Sequence, residues 1–202
     1  MRSRFYLPHA LSSALRALLI VCAACGQVQA QKARPLTAIL LQARDELADA
    51  DFADSLVLVL NNLGPAPVGL IVNRPTEVPV SRLFPDLKPL ATLPDKLYFG
   101  GPVEFTSVWF LFRAVKTPEH AIQAFEGVCL SADRQLLLRL LTRDKPMDGL
   151  RIFVGHSGWA PGQLEAEIES GAWTLRHASA EAVFGDQSQH PWPAPQGPKS
   201  ST

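Results

Sequence analysis

The sequence predicts an α+β fold, an irregular α/β sandwich built on a mixed sheet. Three observations carry that expectation. Short Leu-rich and β-branched runs recur along the chain. Helical patterns fall between them without regular βαβ alternation. An early pair of apolar runs is separated by a turn alone, as in a hairpin. A chain of 202 residues, 47% hydrophobic and 19% charged, suffices for one domain with a core and is short for two.

Residues 37–41 are apolar and strand-like, and 44–54 (RDELADADFAD) form an acidic loop or short helix. Residues 55–60 (SLVLVL) and 68–73 (VGLIVN) pair as antiparallel strands across the turn NNLGPAP. Prolines at 75, 79, 85, 89 and 94 leave room only for short helical pieces, such as one over 80–84. Residues 97–99 and 107–113 are strands, and 117–126 read as loop or short helix. Ser131 is the expected N-cap of a helix through Thr142, whose leucines form one broad apolar face. Residues 150–155 (LRIFVG) are another buried strand, followed by a Gly/Pro turn over 157–162 in which Gly158 is expected at positive φ. Pro161 suits the first turn of a helix to about Ser170, with Gly171 closing it. Residues 172–177 form a strand, and Ser179 caps a last short helix through Phe184.

The first thirty residues read as an address. Residues 1–16 are basic and free of acids, 17–25 (ALLIVCAAC) are apolar, and Val28-Gln29-Ala30 places small residues before a cut at Gln31. The run is shorter than the ~20 residues a spanning helix needs. The expected organisation is a signal segment over 1–30, a single domain over 31–190 and a flexible tail over 191–202. Export to the periplasm or medium is therefore expected. Ala23-Ala24-Cys25 also resembles the end of a lipobox, which would anchor the chain to a membrane through Cys25. With cleavage after Ala30 the sole remaining cysteine is Cys129, set in apolar sequence as a small buried hydrophobe.

Charge excludes one class of partner. Lys plus Arg is 19 and Asp plus Glu is 19, but Arg2, Arg4 and Arg16 precede residue 31 with no acid; residues 31–202 thus hold 16 bases and 19 acids, a net −3. That is no nucleic-acid binder by charge. The chain has no CxxC, HExxH, GxGxxG, Walker or GxSxG motif, so no cofactor is expected. None of its five histidines lies three or four residues from another, so no metal site is expected either.

Three segments couple a strand end to glycine or proline and a polar or aromatic residue: GLIVNRPT at 69–76, YFGGPV at 98–103 and GHSGWAPGQL at 155–164. Asn73 can bond turn backbone, Arg74 can pair a carboxylate, and Gly100-Gly101 admits close backbone approach. Trp159 offers an apolar plate with one donor. His156 precedes Ser157, but neighbours on a strand point to opposite faces, which is poor placement for sharing a proton. Asn73, Arg74, Gly100, Gly101, His156, Trp159 and Gln163 are the candidate binding residues, and no catalytic residue is assigned.

In this order and spacing, the segments resemble the YqgE/AlgH family of bacterial proteins. The match runs from Asp51-Phe52-Ala53-Asp54-Ser55 through Gly69-Leu70-Ile71-Val72-Asn73-Arg74-Pro75 and Gly100-Gly101-Pro102-Val103. It continues through Gly155-His156-Ser157-Gly158-Trp159-Ala160-Pro161-Gly162-Gln163-Leu164-Glu165-Ala166-Glu167. The resemblance implies a compact fold with a mixed, partly barrel-like sheet flanked by helices, and it implies no established activity. Two histidines common in the family are replaced here, near Asn61-Asn62 and at Phe112-Arg113.

The sequence favours a noncatalytic ligand- or partner-binding or regulatory module. The alternative is a hydrolase-like enzyme with a cleft between the NRP and GHSGWAPGQ turns. A transcription regulator, the role suggested by the family name, is opposed by the acidic balance.

Overall fold

The computed structural model describes residues 37–185, apart from 45, 46, 48, 62, 87–89, 91 and 92. The expected signal segment, Cys25 and the tail lie outside these residues. The described residues form ten strands in a mixed sheet with short helices against it, an α+β architecture. The strands are β1 (Thr37–Ala43), β2 (Leu56–Asn61), β3 (Val68–Ile71), β4 (Pro75–Pro79), β5 (Lys96–Phe99) and β6 (Val103–Arg113). They continue as β7 (Ile122–Phe125), β8 (Val128–Ser131), β9 (Leu150–Gly158) and β10 (Trp173–His177). The helices are α1 (Arg134–Leu141), α2 (Gln163–Glu169) and α3 (Ala180–Phe184).

The main path runs β10-β1-β2-β3-β9-β6-β8-β7, and β4 joins through β5, which pairs with β9. The β5–β9 pair is parallel and every other pair is antiparallel. The sheet curls into a half-barrel, and β1 approaches β7. Leu56, Leu58 and Leu60 face the inner core with Leu70, Leu111 and Phe153, and α3 closes it with Ala182 and Val183. The alternate residues Val57 and Val59 face outward into a second cluster with Trp159, Leu164 and Trp173. This two-sided burial explains why β2 reads as an unbroken apolar run. A third cluster packs α1 against the outer face of β6 and β9 through Leu136, Leu137, Phe110 and Ile152. Cys129 is buried there, as expected of a small hydrophobe.

Several expectations shift. The 117–126 stretch holds a strand, β7, which pairs with β8 across Glu126-Gly127. The proline-rich stretch after Arg74 begins with β4, an edge strand in which Pro75 pairs with Tyr98, and a 3-10 turn over Val80–Leu83 follows. The cap of α1 is Asp133, whose carboxylate accepts from the Leu136 N–H at 2.7 Å. Ser131 instead donates to the His120 carbonyl at 2.6 Å and accepts from the Asp133 N–H. Pro161 precedes α2, whose N-cap is Gly162 in the left-handed region. β9 continues through residue 157 to Gly158, so the turn begins later than expected, and positive φ falls on Gly155 and Gly162 while Gly158 lacks it. Gly171, at φ 82°, ends α2 as expected, and Ser179 caps α3 through the Ala182 N–H.

Candidate functional site

β9 is the junction of the fold. Its first half pairs with β6 on one side and β5 on the other, and its last residues pair with β3. The register explains the crowding. Val108 pairs with Val154 and Val103 with His156, so five steps of β6 span two of β9 and residues 104–107 bulge outward. On β9 the phase slips at Gly155, which adopts φ 69°. Trp109 pairs with Phe153, yet its ring meets the edge of His156 at 6.0 Å, contact that unbroken alternation from Phe153 would forbid.

Against this slip lies the Gly100-Gly101 turn. A Cβ on Gly100 would collide with the Gly155 carbonyl, and one on Gly101 with the His156 backbone and the Ser157 hydroxyl. The Gly100 N–H donates to the Val154 carbonyl, and the Gly100 carbonyl accepts from the Ile71 N–H, both at 2.9 Å, and from the Ser157 hydroxyl at 3.1 Å. Ser157 is fully buried. Its hydroxyl is thus spent on a main-chain carbonyl while His156 packs on Trp109. The Nδ1 of His156 is buried and has no hydrogen-bond partner among the described residues.

The other candidates also bind their own chain. Asn73 accepts from the Leu56 N–H at 2.8 Å and donates to the Asp54 carbonyl at 2.9 Å. Arg74 donates to the carbonyls of Asp51 and Ala53, so it clamps a turn, and it pairs with no carboxylate among the described residues. Its guanidinium also stands 5.8 Å over the Phe99 ring, which stacks on Phe105 at 6.0 Å. Phe105 rides on the β6 bulge and is 63% exposed. Trp159, expected as an open plate, is buried over Gly69, where an added Cβ would touch its ring at 2.8 Å. Its Nε1–H donates to Glu167 at 3.0 Å. Gln163 accepts from the Ala160 N–H and donates to the same Glu167. The three segments therefore meet around β9: the GG turn touches Gly155–Ser157, and the Arg74 carbonyl accepts from the Phe99 N–H.

The described residues also form a cleft of ≈330 Å³ beside β4, β5 and β9, lined by Pro75, Asp95, Lys96, Tyr98, Arg151 and Phe184 among others. None of these was a sequence candidate. Arg151 is 7% exposed. It donates through Nη1 to the Val72 carbonyl at 2.7 Å and through Nη2 to the Gly185 carbonyl at 3.4 Å, and it stands 4.3 Å over the Tyr98 ring. Burial pushes its pKa below the ordinary arginine value, and the nearby Tyr98 hydroxyl draws it back up. No carboxylate among the described residues pairs with it. At the rim Lys96 pairs with Glu77. The sequence signal was an arginine inside LRIFV, a strand buried on both faces, where a charge requires a reason. Among the described residues, no group of three or more His, Cys, Asp or Glu side chains could hold a metal ion.

The curled mixed sheet and its glycine-built junction define a class of fold with known relatives. A family model described as AlgH-like matches residues 40–195. A UPF0301 protein of Chlorobium limicola is 31% identical over 155 residues, covering 76% of this chain and 81% of its own. One from Pseudomonas putida is 33% identical over 150 residues, covering 72% and 78%. The crystal structure of a Corynebacterium diphtheriae protein superposes with a TM-score of 0.60 at 29% identity, over 77% of this chain and 82% of that one. The solution structure of the AlgH protein from Pseudomonas aeruginosa gives 0.60 at 25% identity, over 73% and 80%. This chain belongs to the AlgH-like family.

Proposed function

We propose that this protein is a noncatalytic binding module that works outside the cytoplasm and takes a small ligand in the cleft beside β5 and β9. One observation carries the reading: the cleft has a buried guanidinium as donor, and among the described residues its lining holds no serine, threonine, cysteine or histidine. A hydrolytic centre needs a nucleophile or activated water, a base within ~3 Å and donors for the developing charge. Here the donor stands without the nucleophile–histidine pair. A nucleic-acid partner is opposed by the net −3 of residues 31–202, which hold 16 bases against 19 acids.

The hydrolase-like reading keeps one supporting observation, the Nδ1 of His156, which has no hydrogen-bond partner among the described residues. Its neighbour Ser157 is bound to Gly100, which argues against that pair. The purified protein should turn over no ester, phosphate or peptide substrate. Turnover that disappears in His156→Ala would establish the enzyme instead.

Export rests on residues 1–30. Mass spectrometry of the native N-terminus should find Gln31 first. A retained Met1 would refute export, and diacylglyceryl on Cys25 would replace free release with membrane anchoring.

A further inference from the structure

The described residues offer three places where polar or aromatic groups remain to be used. The Phe99–Phe105 stack is exposed but nothing fixes its occupant. The His156 edge lies within packed aromatic surface. The third is Arg151, and it carries an inference that rests on the binding reading above and specifies its ligand.

A guanidinium has five N–H donors and keeps its charge at any physiological pH. Arg151 spends two donors on main-chain carbonyls, Val72 and Gly185, and one face on Tyr98. Three N–H groups have no acceptor among the described residues. Burying a charge is costly unless it is paired and hydrogen-bonded, and two carbonyl dipoles with one ring offset only part of that cost. An anion would complete the pairing, and Arg151 lines the cleft through which one can arrive.

The rim narrows the class. Lys96 is already matched by Glu77, and Asp95 lines the same opening. Acids at the entrance repel a multiply charged ligand more than a singly charged one. The planar fork of arginine fits a carboxylate through two parallel N–H···O bonds. Tyr98 and Phe184 supply aromatic wall, and ≈330 Å³ lies at the small end of ligand pockets. We propose that this cleft binds the carboxylate of a small, singly charged organic acid on Arg151, with Tyr98 and Phe184 in its wall.

The test is an NMR titration of the full chain with benzoate, benzamide and inorganic phosphate, following the Arg151 Nε–H and the Tyr98 ring. Benzoate should shift both signals saturably, and phosphate should bind more weakly. Arg151→Lys keeps the charge without the fork and should weaken benzoate about tenfold. Should that variant fail to fold, Asp95→Asn serves, since the Asp95 side chain makes no hydrogen bond in the described structure. It should tighten benzoate about two- to fivefold, the scale of a half-exposed charge pair. Benzamide binding as tightly as benzoate would overturn the anion assignment and leave the cleft as a binding site. Phosphate binding more tightly than benzoate would overturn the carboxylate assignment. Signals unmoved by all three probes would overturn both the ligand class and the cleft as the binding site.

Discussion

Gly100 and Gly155 meet backbone to backbone, with the Gly155 carbonyl occupying the space a Cβ on Gly100 would need. The contact lets β5 and β6 leave β9 in different directions from one short turn. It makes the GGPV and GHSG segments a single structural unit. Gly155→Ala adds a Cβ at φ 69° and drives it into the Gly101 carbonyl. Strain at positive φ and overpacking together should cost about 2–4 kcal/mol of unfolding free energy. Gly158→Ala is the control. It sits in open strand without positive φ, its nearest neighbour being Val103 at 4.0 Å, and should change stability by less than about 0.5 kcal/mol. Chemical denaturation of the two variants compares them directly, and equal midpoints would remove the special role of Gly155.

Arg74 holds the turn before β2 through two main-chain carbonyls. Arg74→Met keeps much of the apolar stem over Phe99 and removes both donors. A loss of about 1–3 kcal/mol is expected for charge-assisted bonds of this kind. Amide exchange should quicken locally around residues 51–55, because among the described residues Asn73 is then the remaining side chain of the NRP segment that holds the turn. Unchanged protection there would mean that the guanidinium contacts do not hold the turn.

The sequence reading put the α1 cap on Ser131, and the structure puts it on Asp133. Asp133 accepts from the Leu136 N–H, so Asp133→Ala should cost about 1 kcal/mol. Ser131→Ala leaves the cap carboxylate in place and instead deletes the donor to the His120 carbonyl. It should loosen the loop ahead of β7 and leave the helix signal intact. Exchange rates of the α1 amides in the two variants distinguish these roles.

Local signals made much of the fold legible and left its long-range features hidden. β1, β2, β3 and β9 are apolar runs in the core, and their composition alone announced them. The β7–β8 hairpin escaped because β7 exposes Ile122 and Gln123, and four residues give little periodicity. β4 escaped because its two prolines, Pro75 and Pro79, suit a loop as well as an edge strand. Convergence of the three motif segments follows from the pairing of β9 with β3, β5 and β6, which no local window contains. Burial of Trp159, read as a binding plate, was not legible because the room for its ring is made by Gly69, ninety residues away in sequence. Arg151 was visible as a charge in an apolar strand, but that no carboxylate among the described residues pairs with it is a property of the packed molecule.

Glu167 shows how one acid can fix a whole face. Its Oε2 accepts from Trp159 at 3.0 Å and from Trp173 at 2.8 Å, and its Oε1 accepts from Gln163 at 2.9 Å. The two indoles meet edge to face with centroids 6.4 Å apart, and Phe52 packs against both. Glu167 thereby joins α2 to the segment that follows β9 and to β10. Deleting the carboxylate leaves two buried indole N–H groups without an acceptor, at about 1–3 kcal/mol for each unsatisfied group. Glu167→Ala should therefore destabilise by about 2–4 kcal/mol, with indole emission moving to longer wavelength as water reaches the ring edges. Glu167→Gln retains one acceptor oxygen and should fall between the variant and wild type. The ordering wild type, Gln, Ala in both midpoint and emission is the expected result. An alanine variant as stable as wild type would show that the indoles find other acceptors and that Glu167 does not organise this face.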